Sequence, residues 1–235
     1  MSDKKTAIIT GASGGIGAGL VERFLGQGYN VVATSRDAIR KFTSSDSLAL
    51  VDGDIGKQRT ADEAVDAAIH YFGTVDVLVN NAGIFLTKPF TQFTREDFDA
   101  LVSTNLLGFF YITQRAVKEM LNRGSGCVVT ISAALADRPI AGENGSISMM
   151  TKGGLNAATQ NLAVEYGKDS IRFNAVAPGE VDTPMHAIVP NDPTQPVVKR
   201  AMVKDIVDAV LYLVQAGHVN GEILHVDGAA PARRW

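Results

Sequence analysis

Short apolar runs alternate with stretches of helical spacing along the whole chain. The apolar runs predict strands at 5–10, 31–34, 48–51, 75–79, 127–131, 172–177 and 222–226. The stretches between them predict helices at 15–27, 58–72, 95–122, 149–167 and 203–215, with a weak helical turn in 37–46. The strand at 75–79 shows little alternation, which is typical of a parallel strand covered on both faces. Strands that alternate with helices predict an α/β fold with a doubly wound parallel sheet.

A glycine-rich turn follows the first predicted strand and opens the first predicted helix. It reads Thr-Gly-Ala-Ser-Gly-Gly-Ile-Gly over residues 10–17. We expect Gly11 to make the tight bend, Gly15 to leave bare backbone for a pyrophosphate, and Gly17 to let the helix pack close to the strand. The helix N-terminus would add free N–H groups and a positive dipole end. This context predicts a dinucleotide-binding sheet of the Rossmann type, with about seven strands and helices on both faces.

Composition argues against nucleic-acid-binding, membrane and metal-binding functions. The 235 residues carry a net charge of −3, which predicts neither a nucleic-acid partner nor a membrane surface. The single cysteine, Cys127, permits no internal disulfide and favours a cytoplasmic location. No apolar run is long enough to span a bilayer, and no cluster of His, Cys and carboxylate residues suggests a metal site. We expect one domain over 1–235, with a proline-rich, lid-like loop at about 182–200.

Two predicted helices carry signs of a subunit interface. The helix at 95–122 is apolar around most of its girth, although a surface helix needs only one apolar stripe. The helix at 149–167 contains small residues that permit close packing, among them Gly153, Gly154 and Ala157. We therefore expect a second face of the longer helix to be buried against another subunit.

A set of motifs at the predicted strand ends resembles one family. Thr10–Gly17, Asp54-Ile55, Asn80-Asn81-Ala82-Gly83, Asn105, Lys152 and Pro178-Gly179 occur in the order and spacing of the classical short-chain dehydrogenases/reductases. The resemblance runs over essentially the whole chain. It implies an NAD(P)(H)-dependent oxidoreductase that acts on the carbonyl/alcohol pair of a small or medium substrate. It also implies a homodimer or homotetramer built on the helices at about 95–122 and 149–167.

The resemblance also implies which residues contact the coenzyme. Asp54 is expected at the adenine amino group with Ile55 against the ring, and Val181 and Thr183 at the nicotinamide carboxamide. The full implied set is Gly11, Ser13, Gly14, Gly15, Ile16, Gly17, Ser35, Arg36, Asp54, Ile55, Asn81, Ala82, Gly83, Lys152, Pro178, Gly179, Val181 and Thr183.

The residues after the second strand bear on the choice of coenzyme. An acidic residue there would bind the free ribose hydroxyls of NAD, whereas Ser35 and Arg36 suit a 2′-phosphate. Gly14 stands where many NADP-using relatives have a basic residue, and Asp37 is adjacent. We predict that NADP(H) is preferred, with NAD(H) as the alternative.

The chain departs from the family at the catalytic tyrosine. That tyrosine precedes the lysine by four residues, but Ser148 stands four residues before Lys152, and 112–165 contains no tyrosine. The family's upstream serine aligns with Ala133, with Ser132 beside it. A serine hydroxyl ends about 4 Å nearer the backbone than a phenol and is a poor acid–base group. The candidate catalytic set is Asn105, Ser132, Ser148 and Lys152.

Three functions stay open on these residues. The first is an oxidoreductase in which a water held by this set, or the substrate itself, replaces the phenol. The second is a non-catalytic coenzyme-binding protein, such as a redox sensor or partner subunit. The third is acyl transfer by a Ser148/Lys152 pair, which lies on one helix face.

His186 and Glu143 lie in loops that can approach the pocket. Candidate apolar pocket residues are Phe85, Phe90, Phe93, Met149, Met150, Met185, Ile188 and Val189.

Overall fold

One parallel sheet organises the chain. A computed structural model describes residues 4–183 and 200–229. The strands of this part are β1 (Thr6–Thr10), β2 (Asn30–Ser35), β3 (Leu48–Asp52), β4 (Val77–Asn80), β5 (Gly126–Ile131), β6 (Ile171–Pro178) and β7 (Ile223–Val226). They pair in the order β3-β2-β1-β4-β5-β6-β7, and every pairing is parallel. The predicted doubly wound sheet of about seven strands is confirmed.

Helices cover both faces of this sheet. Their bounds are α1 (Gly15–Gly26), α2 (Ala38–Lys41), α3 (Gln58–Phe72), α4 (Arg95–Leu101), α5 (Gly108–Arg123), α6 (Ser146–Tyr166) and α7 (Val203–Gln215). Apolar residues of α1 and α7, such as Phe24 and Val210, form one core with the sheet. Those of α3 and α5, such as Val65 and Ile112, form the core on the other face. The buried stripes recur at helical spacing, which is why these segments fold as helices.

The strand order changes direction beside β1. β1 pairs with β2 on one side and with β4 on the other, so Ile8 lies between Val32 and Leu78. The crossovers from these strands leave on opposite faces, an arrangement that leaves a crevice at the carboxyl ends of β1 and β4. Doubly wound sheets bind their ligands at such a point.

The long helix predicted at 95–122 contains an irregular segment. A π-helical segment, Val102–Leu107, separates α4 from α5, although the three pieces run on without a loop. Thr94 and Asp97 form a capping box at the start of α4, and Gly124, at φ +74°, ends α5 in the left-handed conformation. The next predicted helix, 149–167, begins one turn earlier, at Ser146.

Some predictions fall outside the described residues. The predicted lid-like loop at about 182–200 lies almost entirely in 184–199, as do Met185, His186, Ile188 and Val189. Within 4–183 and 200–229, no helix is both long enough and apolar enough to cross a membrane.

Candidate functional site

The turn between β1 and α1 is tightly packed on one side and open on the other. Gly11 has φ +64°, and a Cβ there would lie 2.8 Å from the Cα of Ala82. A Cβ on Gly17 would lie 2.1 Å from the carbonyl oxygen of Gly11. Around Gly14, in contrast, no atom lies within 4 Å of such a Cβ. The turn therefore needs glycine at 11 and 17 for packing, while Gly14 faces open space.

The N-terminus of α1 presents backbone donors to that open space. Gly14 is the N-cap, no side chain caps the helix, and its first turn has no acidic residue. A Cβ on Gly15, at φ +51°, would meet the side chain of Thr183 at 3.3 Å. Ile16 packs toward the α1–α7 core. Uncapped N–H groups and a positive dipole end suit the diphosphate of a dinucleotide, so these residues fit the predicted coenzyme.

Thr10 and Asn81 join the glycine turn to the end of β4. The Thr10 hydroxyl accepts hydrogen bonds from the backbone N–H groups of Asn81 and Ala82, both at 3.0 Å. The Asn81 amide donates to the carbonyl oxygens of Thr10 at 2.9 Å and Gly11 at 3.1 Å. The Asn81 side chain, predicted to line the coenzyme site, therefore fixes the glycine turn. Thr10 was not among the predicted site residues.

Asn105 lies in the π-helical segment and is buried. Its Oδ1 accepts from the N–H of Ile84 at 2.9 Å, and its Nδ2 donates to the Ile84 carbonyl at 3.0 Å and to Thr151 Oγ1 at 2.9 Å. The Thr151 hydroxyl in turn donates to the Ser148 carbonyl at 2.7 Å. Asn105 thus connects the loop after β4 to α6, and Thr151 is a second residue that the sequence reasoning missed.

Ser148, which occupies the family's tyrosine position, is fully buried. Its hydroxyl accepts from the N–H of Leu86 at 2.9 Å and donates to the Leu86 carbonyl at 2.9 Å. Both bonds go to the backbone of the loop after β4. Both hydrogen-bonding capacities of this hydroxyl are thus used by Leu86, and a role for Ser148 in catalysis stays a prediction.

Lys152 extends from α6 toward the end of β5. Its Nζ donates to the carbonyl of Ile131 at 2.7 Å. A Cβ on Gly83 would lie 3.1 Å from this Nζ and 3.2 Å from Asn105 Oδ1. Lys152 is half-buried, and desolvation lowers its pKa to about 8. Ser132 lies nearby, and its hydroxyl donates to the Lys152 carbonyl at 3.4 Å.

The ends of β2 and β3 carry the residues predicted to surround the adenosine. Arg36 is exposed and forms no ion pair within the described residues, while the Ser35 hydroxyl accepts from the N–H of Asp37 at 3.3 Å. Asp54 accepts from the N–H of Gly56 at 2.9 Å. Ile55 is only 8% exposed because it packs in the α3–α5 core, so little of this side chain remains for an adenine ring.

The chain after β6 reaches the same crevice. Pro178 ends β6, and Gly179 lies so close to β7 that a Cβ would stand 2.9 Å from the Cα of Asp227. Val181 is buried and forms a bridge with Ala201, and Thr183 lies over Gly15. Of the residues predicted here, Thr183 is thus placed directly beside the glycine turn.

A cavity of about 410 Å³ opens at the start of α6. It is lined by Lys88, Phe90, Leu135, Ala136, Pro139, Ile140, Glu143, Asn144, Gly145, Ser146 and Met149. Phe90 and Met149 were predicted to line a pocket, and Glu143 was considered as a loop residue able to approach one. Phe85 lies just behind, against Gly145. Met150 is 58% exposed and is absent from this wall. Among the described residues, no cluster of ligands could hold a metal ion.

Comparison with known proteins places the chain in a family. The family model described as enoyl-(acyl carrier protein) reductase matches residues 11–229. The 3beta-hydroxysteroid dehydrogenase 1 of Eggerthella lenta is 33% identical over 95% of this chain and 92% of its own length. The chain belongs to the short-chain dehydrogenase/reductase family.

Solved structures of similar proteins share the fold of this short-chain dehydrogenase/reductase. The 3-ketoacyl-(acyl-carrier-protein) reductase from Brucella melitensis, complexed with NADH, superposes with a TM-score of 0.90 at 31% identity, covering 97% of this chain and 98% of that one. The gluconate 5-dehydrogenase from Burkholderia cenocepacia, in complex with NADP and tartrate, gives 0.88 at 25% identity, with coverage of 98% and 96%.

These comparisons confirm the predicted family, fold and broad activity. The chain is an NAD(P)-dependent oxidoreductase of the short-chain type, and a nicotinamide coenzyme fits the glycine turn described above. The three relatives are named for a 3beta-hydroxysteroid, a 3-ketoacyl-(acyl-carrier-protein) and gluconate, so their names indicate no common substrate.

Proposed function

We propose that this enzyme transfers a hydride between NADP(H) and the carbonyl/alcohol pair of a small or medium substrate, without a phenolic acid–base group. The observation that carries the proposal is the juxtaposition of three features at the β1–β4 crevice. These are the open backbone at Gly14, the close packing of Gly83 against Lys152 and Asn105, and the Lys152 ammonium bonded to the end of β5. When bound, the nicotinamide supplies or accepts the hydride, and the chain must supply everything else.

Different parts of the chain would hold different parts of the coenzyme. Ser13, Gly14 and Gly15 would face the diphosphate with backbone N–H groups. Asp54 would bind the adenine amino group, and Lys152, against which Gly83 packs closely, would bind the ribose. Residues at the end of β6 would receive the carboxamide, namely Pro178, Gly179, Val181 and Thr183.

A preference for NADP(H) is supported by the end of β2. Arg36 is exposed, carries a full positive charge and forms no ion pair within the described residues. An exposed guanidinium without an ion-pair partner can bind a 2′-phosphate with two of its N–H groups. Asp37 stands next to it and opposes this preference, so the alternative, NAD(H), is tested alongside.

Turnover tests the proposal against the non-catalytic alternative. NADPH oxidation is followed with aldehydes and ketones of graded size, and NADP⁺ reduction with the matching alcohols. The proposal predicts slow but enzyme-dependent turnover of some members, since the family's phenol is absent. Binding of NADPH without turnover of any member would favour a redox sensor or partner subunit instead.

An assembly of two or four copies is part of the same proposal. Large apolar side chains stay exposed along 95–123 and on α6 of the isolated chain. They are Phe98, Leu107, Phe110, Leu121, Met150 and Val164. Their burial against a second copy would explain an apolar pattern that continues around the helix.

We also infer a cytoplasmic location, supported by the free thiol of Cys127, the one cysteine in the sequence.

A further inference from the structure

The chain after β5 crosses the end of β6 to reach β7. In the sheet, β6 lies between β5 and β7 and ends at Pro178. The segment that follows β5 nevertheless bonds to β7 through two consecutive side chains, Asp137 and Arg138. Since neighbouring strands are about 4.8 Å apart, this segment spans roughly 10 Å across the strand between them. It therefore passes the strand end at which we proposed that the nicotinamide carboxamide is held.

Two pairs of side chains hold this segment on β7. His225 Nε2 donates to Asp137 Oδ1 at 2.9 Å, and the Arg138 guanidinium donates to Asp227 Oδ2 at 3.2 Å. The Asp227 side chain is only 7% exposed, so the arginine bonds to a carboxylate that is well shielded from water. Such a charge-assisted bond is stronger than one between two exposed groups. We call Asp137, Arg138, His225 and Asp227 the β7 clamp.

The β7 clamp holds a wall of the cavity at the start of α6. Residues 135–136 line that cavity just before the clamped pair, and 139–140 line it just after the pair. Asp137 and Arg138 are absent from the lining, and their side chains bond to β7 instead. The wall at 135–140 is thus fixed at its middle from the side that faces away from the cavity.

Asp227 also joins the β7 clamp to the loop after β6. A Cβ on Gly179 would lie 2.9 Å from the Asp227 Cα, so the two backbones are in close contact. Asp227 Oδ1 accepts from the N–H of Ala229 at 2.9 Å, and Ala229 has φ +59°. A non-glycine residue in the left-handed region is strained and persists only where its surroundings hold it. The position of Asp227 is therefore closely determined, which suits an anchor point.

We propose that the β7 clamp positions the substrate by fixing the wall at 135–140 relative to the nicotinamide end of the coenzyme. This role rests on the proposed function above and takes the cavity at the start of α6 as the place of the substrate. Within the described chain, the backbone hydrogen bonds of this wall join residues only three or four apart. The β7 clamp therefore supplies its hydrogen bonds to a distant element, and without the clamp the wall should open more often.

The first test needs no turnover. Hydrogen exchange of the amides in 134–140 measures how often this wall opens. Arg138→Met removes the bond to Asp227 and keeps an apolar stem, so exchange in 134–140 should become about 5–10-fold faster. Arg23→Met is the matched control, because Arg23 is also about half exposed and pairs with Asp208 at 3.4 Å between α1 and α7. Exchange in 134–140 that is unchanged in Arg138→Met, or equally faster in Arg23→Met, would overturn the proposal.

The second test is the split between KM and kcat for the carbonyl compounds that the wild type reduces. Arg138→Met should raise KM about 5–10-fold while kcat changes less than about twofold, because a loosened wall weakens binding and leaves the reacting groups in place. Arg138→Lys keeps a cation that can face Asp227, so its KM should stay within about threefold of the wild type. An unchanged KM in Arg138→Met, or a loss confined to kcat, would overturn the positioning role.

The pair of Asp137 and His225 provides an independent check. Asp137→His places two imidazoles opposite each other and His225→Asp places two carboxylates there, whereas the double variant restores the bond in the reverse direction. Each single variant should show a raised KM and faster exchange in 134–140, and the double variant should recover most of both. No recovery in the double variant would overturn the proposal. Absence of any turnover by the NADPH-bound wild type would overturn the proposed function and this role with it, while the exchange rates would still show whether the β7 clamp forms.

Discussion

At the scale of single residues, the serine in the family's tyrosine position bonds to a distant part of the backbone. Its hydroxyl bonds both the N–H and the carbonyl of Leu86, which lies 62 residues away in the sequence. The departure from the family is visible in the sequence, since Ser148 stands four residues before Lys152. The sequence could not identify the partner, because nothing local marks Leu86 as the residue that folds against α6.

Replacing Ser148 by alanine should therefore lower stability and spare the coenzyme site. The change leaves two backbone groups of Leu86 unpaired, which should reduce the free energy of unfolding by about 2–4 kcal/mol. Denaturant titration measures this, with Ser146→Ala, at an exposed position of the same helix turn, as the control. A Ser148→Ala variant as stable as the wild type would argue that the Leu86 bonds do not form in solution.

We expect Arg36 to favour NADP(H) over NAD(H) through its own charge. Replacing it with leucine should weaken NADPH binding about 10–100-fold, since a charge-assisted hydrogen-bond pair is lost. NADH affinity should change less than about threefold. Fluorescence titration measures both constants, and Arg40→Leu, another exposed arginine nearby on α2, is the matched control. Equal losses for NADPH and NADH in Arg36→Leu would refute the 2′-phosphate contact.

At the scale of elements, the strands and most helices follow directly from the apolar pattern. The glycine turn was also predictable, because a strand before it and a helix after it leave few conformations. The π-helical segment at 102–107 was not predictable, because the same helical spacing fits both a regular helix and a π-bulge. The contact that accompanies it, from Asn105 to Ile84, lies 21 residues away in the sequence.

The packing of the glycine turn predicts different stabilities for two alanine substitutions. Gly17→Ala should unfold the protein or destabilise it by several kcal/mol, because the added Cβ would lie 2.1 Å from the Gly11 carbonyl oxygen. Gly14→Ala should fold with nearly unchanged stability, because Gly14 has extended backbone and open space around it. Thermal unfolding measures both variants. Equal stability of the two would contradict the packing described for this turn.

At the scale of the whole molecule, the exposed apolar side chains along 95–123 and α6 point to an assembly. The sequence indicated a second buried face on the longer helix, and the fold leaves that face uncovered in a single chain. Family membership and the doubly wound parallel sheet were predictable from motifs spread over the chain. Substrate identity was not, because a cavity wall of mixed apolar and polar residues fits many carbonyl compounds.

Light scattering tests the assembly. The wild type should have the mass of two or four chains, and Phe110→Glu should shift it toward smaller species by placing a charge in the buried interface. Tyr71→Glu, at a more exposed aromatic residue on α3, should leave the mass unchanged. A wild type that is monomeric at micromolar concentration would contradict the proposed interface.

The account depends most directly on the first crossover binding a dinucleotide. Calorimetric titration of the folded wild-type chain with NADPH, and then with NADH, measures this without reference to any substrate. We predict a dissociation constant for NADPH of about 1–100 µM and weaker binding of NADH. Failure of both coenzymes to bind well-folded protein at millimolar concentration would contradict the account.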